Sequence, residues 1–211
     1  MFGYLWLHGR CRYCGTRIPR RILWVELLGG ILFFLAFWRF GLSAEFAITA
    51  FWCCVFLVII FIDWEHKLIL NKITYPAAVV ALIILAIDSL LPPPGLFTHR
   101  IFMPETSILS GLIGGVIGSL FFLVAALIKP GGMGVGDIKL GGLIGLAAGF
   151  PLMIFAVLIG VIIGGLVAVA LLLLKVKGWK DVIPYGTFLA IGPIIALLWG
   201  REILIWYLGF F

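Results

Sequence analysis

The sequence predicts an all-α, polytopic membrane bundle of about seven transmembrane helices, and three observations carry that expectation. Of 211 residues, 64% are hydrophobic and 11% charged, and the mean hydropathy is +1.27, a balance far from that of soluble globular chains. The apolar residues come in runs of about 20, the length at which a helix crosses a hydrocarbon core of roughly 30 Å. The runs do not alternate polar with apolar, as the strands of a membrane barrel would.

The segment 1–21 reads as a short cytoplasmic N-terminal piece with a single Cys-x-x-Cys, Cys11 to Cys14, and 22–211 as the membrane domain. Met1 to Arg10 leads into an arginine cluster, not into a cleavage site, so the first helix is expected to act as the insertion signal. Spans are expected at about Ile22–Trp38, Ala44–Ile62, Lys72–Leu91, Ser107–Ile128, Ile138–Phe150, Pro151–Leu174 and Ile183–Trp199. Pro76 falls near the start of the third, where proline costs a helix least, and Pro92-Pro93-Pro94 stops it. Arg201 to Phe211 is expected to form an aromatic tail at the membrane interface.

Charge tests this span count. With the N-terminus inside, twelve of the fifteen basic residues fall on the cytoplasmic side, and only Arg39, Arg100 and Arg201 fall outside. The net charge of +6 is thus explained by topology and by contact with anionic lipid, and requires no nucleic acid. Four-residue glycine spacings, among them Gly114 to Gly118 and Gly141 to Gly145, predict close backbone packing between helices.

The break Gly131-Gly132-Met133-Gly134-Val135-Gly136-Asp137 interrupts the apolar runs and ends in a carboxylate. Non-helical backbone at membrane depth persists only where protein or a wet cavity satisfies its amides. No strand precedes the break and no Lys-Ser or Lys-Thr follows it, which argues against a phosphate loop. Glycines here permit close approach of a second backbone and let Asp137 adjust toward Asp63, which closes the second span and falls on the same face. Two such carboxyls suit aspartyl peptidase chemistry: one, ionised, draws a proton from water while the other, protonated, supports the scissile carbonyl. Like charges so close titrate as a unit. Helix-end electrostatics make Asp63 the more often protonated partner. Glu26, inside the first span, is expected to face the bundle or a polar groove, while Glu65 and Asp181 read as solvated loop residues. Cys53 and Cys54 read as small buried residues.

These residues resemble the type IV prepilin peptidases, related in mechanism to archaeal preflagellin peptidases and presenilin. Gly134-Val135-Gly136-Asp137 is similar to the family's Gly-x-Gly-Asp signature, extended through Ile138-Lys139-Leu140. Ile62-Asp63 followed by Leu70-Asn71-Lys72-Ile73-Thr74-Tyr75-Pro76 resembles the other catalytic motif. Ile183-Pro184-Tyr185-Gly186-Thr187-Phe188-Leu189-Ala190 resembles a third block, with Thr187 where proline is usual, and Arg10-Cys11-Arg12-Tyr13-Cys14-Gly15 with Val25-Glu26-Leu27-Leu28 a fourth.

The resemblance implies an intramembrane aspartyl endopeptidase of the bacterial inner membrane. It would cut the leader from type IV prepilins or pseudopilins, of type IV pilus and type II secretion systems, after a glycine at the cytoplasmic face. Asp63 and Asp137 would be catalytic, and Gly134, Gly136, Lys139 and Glu26 would support the site. The peptidase step itself would need no cofactor. Members with two Cys-x-x-Cys pairs bind zinc, and many methylate the new N-terminus with S-adenosylmethionine. Here Cys11 and Cys14 form one pair, an incomplete zinc site to which His8 is a candidate third ligand. S-adenosylmethionine is expected only if methyl transfer is retained. A different class also fits two membrane-edge carboxylates, a proton-coupled transporter with Asp63 and Asp137 as relay groups, but both lie at one face and no inverted repeat is visible. A non-catalytic assembly partner would make both aspartates dispensable.

Overall fold

The computed structural model describes residues 4, 6, 7, 9–91, 107–128, 134–175 and 184–209. The expectations for His8, for Arg100 and the connection around it, for 129–133 of the glycine break, and for Lys177, Lys180 and Asp181 lie outside the described residues.

Seven helices are named among the described residues: α1 Arg20–Phe40, α2 Ala44–His66, α3 Asn71–Leu90, α4 Ser107–Ile128, α5 Val135–Ala148, α6 Leu152–Leu173 and α7 Tyr185–Leu208. Six are long and apolar enough to cross a membrane. The exception is α5, whose 14 residues span about 21 Å at 1.5 Å per residue. The all-α bundle expected from the sequence is therefore what forms, with one short helix held among six long ones.

Local chemistry sets the ends. Ser43 caps α2 by accepting from the Phe46 amide at 3.2 Å. Gly41, at φ 60, closes α1, and Gly149, at φ 70, closes α5, the left-handed backbone that glycine adopts without steric cost. Two boundaries differ from the sequence expectation. Helix α2 continues past Ile62 until Lys67 turns left-handed, so Asp63 lies within its last turn. Helix α7 runs on to Leu208, so the expected interfacial tail is largely helical. Gly200 does not break it, because Leu152 packs where a Gly200 side chain would be, and an Arg39–Glu202 ion pair fastens this stretch to α1.

The helices alternate in direction. At one end the Arg21–Glu65 ion pair joins the start of α1 to the end of α2. At the other, Ser110 Oγ donates to the Phe150 carbonyl at 2.8 Å and Phe150 N–H donates to the Ser110 carbonyl at 3.0 Å, pinning the α5–α6 turn to α4. The short helix α5 is the centre of the packing. Leu140, Gly141, Gly142, Leu143, Ile144 and Gly145 are all buried in unbroken succession, the pattern of a helix enclosed on every side. Glycine makes this possible. A Cβ on Gly145 would run into the Gly114 carbonyl, and one on Gly118 into the Gly141 carbonyl, so α4 and α5 meet backbone to backbone along the expected four-residue spacings. A Cβ on Gly192 would likewise strike the Ala156 carbonyl, which brings α6 against α7. Trp52, Cys53 and Phe56 of α2 fill the remaining interior, and Cys54 is half-buried beside them. Outward-facing Phe34, Val116 and Leu166 are the apolar surface that a bilayer covers.

Gly145→Ala is expected to lower the thermal unfolding midpoint in detergent, since α4 must move by more than a side chain can yield; overpacking of this kind costs about 1–3 kcal/mol. Gly165→Ala, with nothing within 4 Å of its new Cβ, is expected to leave the midpoint unchanged or raise it slightly. Equal midpoints for the two variants would contradict the backbone contact.

Candidate active site

Asp63 is drawn into the site by three features of chain geometry. The left-handed turn at Lys67 places its amide on the Asp63 carbonyl at 2.8 Å, fixing the backbone. The side chain, only 5% exposed, then points at the first turn of α7. There Oδ2 accepts from Thr187 N–H at 2.6 Å and from Thr187 Oγ1 at 2.9 Å. The first amides of any helix have no partner within it, and Pro184 caps α7 with no side-chain bond. Asp63 supplies that cap from another helix. It thus stands at the C-terminal end of α2 and the N-terminal end of α7 together, where the two helix dipoles act on it in opposite directions.

Asp137 is the third residue of α5, and its Oδ2 accepts from the Gly134 amide at 3.2 Å, the reach-back of an acidic side chain in a first turn. Asp137 is half-buried. Ile69, just after α2, wedges the two helix starts together. A Cβ on Gly136 would lie 3.1 Å from Ile69 Cβ, and one on Gly186 would lie 3.1 Å from Ile69 Cδ1 and 3.1 Å from Asp63 Cγ. Gly134 thus donates its amide to Asp137, and Gly136 allows the close approach of Ile69.

Lys139 joins two helices. Its Nζ donates to Asn71 Oδ1 at 2.8 Å and lies 5.3 Å from the Tyr75 ring centroid, so it ties α5 to the start of α3. Glu26 lies at an exposed position on α1, a peripheral helix that fully buries only Ala36. Glu65 is partly exposed and engaged by Arg21, a pairing of small energetic weight at such exposure.

Cys11 and Cys14 form a small hairpin closed by an Arg10–Arg17 bridge, with Cys11 N–H donating to the Thr16 carbonyl at 2.9 Å and Gly15 N–H to the Cys11 carbonyl at 3.0 Å. Hydrogen bonding from the Thr16 side chain holds the exposed Cys14 thiol down at about 7. All four cysteines are free thiols. Among the described residues no group of three or more His, Cys, Asp and Glu side chains gathers as metal ligands do, so Cys11 and Cys14 alone fit half of a tetrahedral site. A cavity of about 150 Å³ opens at the opposite end of the bundle, lined among others by Glu45, Thr49, Trp52, Ser110 and Glu202, and neither aspartate borders it.

Sequence reasoning missed Thr187 as a partner of Asp63 and Asn71 as the partner of Lys139. The only signal for Thr187 was a hydroxyl residue three positions after Pro184, at the start of an apolar run.

Fold and site together define a multi-pass helical membrane protein that gathers two aspartates from separate helices at one end of the bundle. Residues 50–169 match the Type IV leader peptidase family, and residues 1–40 match the bacterial peptidase A24 N-terminal domain. The chain belongs to the type IV leader peptidase family, as its motifs suggested. It is 31% identical to a prepilin leader peptidase/N-methyltransferase of Bacillus subtilis (strain 168), over 99% of this chain and 78% of the relative. With proteins of the same name from Legionella pneumophila it shares 29%, over 100% and 70%, and from Pseudomonas putida 30%, over 96% and 67%. No solved structure matches.

Because Asp63 caps α7, its variants are expected to separate in stability. Asp63→Asn keeps an acceptor for the Thr187 amide and should unfold near the wild-type temperature. Asp63→Ala should lose about 0.5–2 kcal/mol, the usual worth of a cap, seen as a lower midpoint by differential scanning fluorimetry. An alanine variant as stable as the asparagine one would remove the cap.

Proposed function

We propose that this protein is an intramembrane aspartyl endopeptidase that cuts the leader from type IV prepilins or pseudopilins. Cleavage follows a glycine at the cytoplasmic face of the bacterial inner membrane. The observation that carries the reading is that Asp137 bonds at the start of α5 and Asp63 at the start of α7, two helix starts that both pack against Ile69. In this scheme a water between the carboxyls loses a proton to the ionised one as it attacks the scissile carbonyl. The protonated one supports the carbonyl oxygen and then protonates the leaving amine. Oδ2 of Asp63 already accepts two bonds, so Oδ1 is the oxygen of Asp63 left for the reaction.

The substrate's basic leader lies in the cytoplasm and its apolar stem in the membrane, so the scissile bond meets the pair at the boundary. Gly134, where an added Cβ would meet no described atom nearer than 3.8 Å, leaves room for an extended peptide beside Asp137. The relatives' names join peptidase to N-methyltransferase; the step proposed for this chain is the peptidase one. Zinc is proposed only where ligands beyond Cys11 and Cys14 complete its four.

Membranes containing the wild type and a model prepilin are expected to yield a product shortened at the leader glycine, read by gel mobility and N-terminal mass. Asp63→Asn and Asp137→Asn should each reduce cleavage by at least about a thousandfold while remaining inserted, because neither residual carboxyl has a partner with which to share a proton. Undiminished cutting by either variant would defeat the dyad. An additional 14 Da on the new N-terminus would add methyl transfer with S-adenosylmethionine.

A further inference from the structure

We propose that Thr187 is a positioning residue that orients the Asp63 carboxyl for the reaction, a role that rests on the peptidase reading above. Two donors of one residue converge on one oxygen: the amide of Thr187 lies 2.6 Å and its hydroxyl 2.9 Å from Asp63 Oδ2. Both residues are buried, Asp63 at 5% and Thr187 at 4% exposure, so water is poorly placed to replace either bond. The hydroxyl is also 3.4 Å from the Ile60 carbonyl, but it has one proton and Asp63 is nearer. The Ile60 carbonyl, one turn earlier on α2, is the alternative acceptor when Asp63 does not take that proton.

Orientation is what these bonds supply. The terminal torsion of an aspartate is broad, so an untethered carboxyl swings between its two oxygens. Two bonds to Oδ2 fix its plane and leave Oδ1 for the attacking water and for the proton shared with Asp137. Gly186 closes the back of the group, since even a Cβ there would press to 3.1 Å from Cγ and from Oδ2. Proline at position 187 would offer neither donor. The arrangement therefore belongs to the threonine of this chain, and the block around it does not supply it.

The test uses the full chain in membranes with a model prepilin, comparing wild type, Asp63→Asn, Thr187→Val and Thr187→Ser. Valine keeps the shape and the amide but removes the hydroxyl; serine restores it. Thr187→Val is expected to lower kcat about tenfold, the scale of one charge-assisted hydrogen bond, with KM within about twofold, and Thr187→Ser should recover most of the loss. A kcat for Thr187→Val equal to wild type, with Asp63→Asn inert, overturns the positioning role and leaves the peptidase reading intact. An equal loss in the serine variant also overturns it, as that loss would follow from packing alone. Infrared difference spectra of protein labelled with ¹³C-aspartate decide the matter without turnover, and they apply equally if the valine variant inserts poorly and Thr187→Ala takes its place. The band that Asp63→Asn removes should shift when the hydroxyl is lost and return with serine; an unmoved band overturns the proposal. Failure of the wild type to cut, or unimpaired cutting by Asp63→Asn, removes the peptidase reading and this role with it.

Discussion

The bond between the Asp63 carboxyl and the first turn of α7 is the contact on which the rest of the site depends. It joins residues 124 positions apart in the chain, and it answers two needs with one group. A helix start left unsatisfied at membrane depth costs free energy for each bare amide, and a carboxyl taken out of water costs more unless donors meet it. Each is the other's remedy. Because α7 is bound in this way to the end of α2, the Tyr185–Thr187 turn becomes a wall of the site, and Gly186 can approach the carboxyl because it has no side chain to interpose.

A second constraint brings the other aspartate in. At 14 residues, α5 is too short to match the long helices around it, and it is apolar on every side. Such a helix is stable only when enclosed, and the glycines facing it on α4 let it lie against backbone instead of side chains. Enclosure fixes where its N-terminus emerges, and Asp137 is in that first turn. Lys139, one residue beyond Ile138, then fixes rotation about the helix axis through Asn71 and Tyr75. Packing deep in the bundle therefore determines the position of a carboxyl at its end.

Much of this was legible in the sequence because the bilayer imposes so few solutions. Apolar runs of the right length have to be helices, and a carboxylate after a glycine break among apolar helices is costly enough to mark where the chain gathers polar groups. The boundaries at Asp63 and along α7 were not legible, since they depend on where a left-handed turn forms at Lys67 and on an ion pair between Arg39 and Glu202, 163 residues apart by their numbers. Glu26 lies at an exposed position of α1. Its spacing within the first span says nothing about which face of α1 the bundle covers, and α1 proves to be the least enclosed of the long helices. The partners of Thr187 and Lys139 are contacts between distant segments, which no local pattern encodes.

The two aspartates are held unequally. Asp63 is fixed by its own backbone, through the Lys67 amide, and by two side-chain bonds reaching from α7. Asp137 has its bond to the Gly134 amide, a donor three residues away in the same stretch of chain. Moving Asp63 breaks contacts between two enclosed helices, whereas moving Asp137 requires rearranging one glycine-flanked turn. On the peptidase reading, the start of α5 is therefore the part freer to adjust, against a fixed partner on α2. Gly134, where an added Cβ would meet no described atom nearer than 3.8 Å, leaves that turn unencumbered, while Gly136 is held against Ile69.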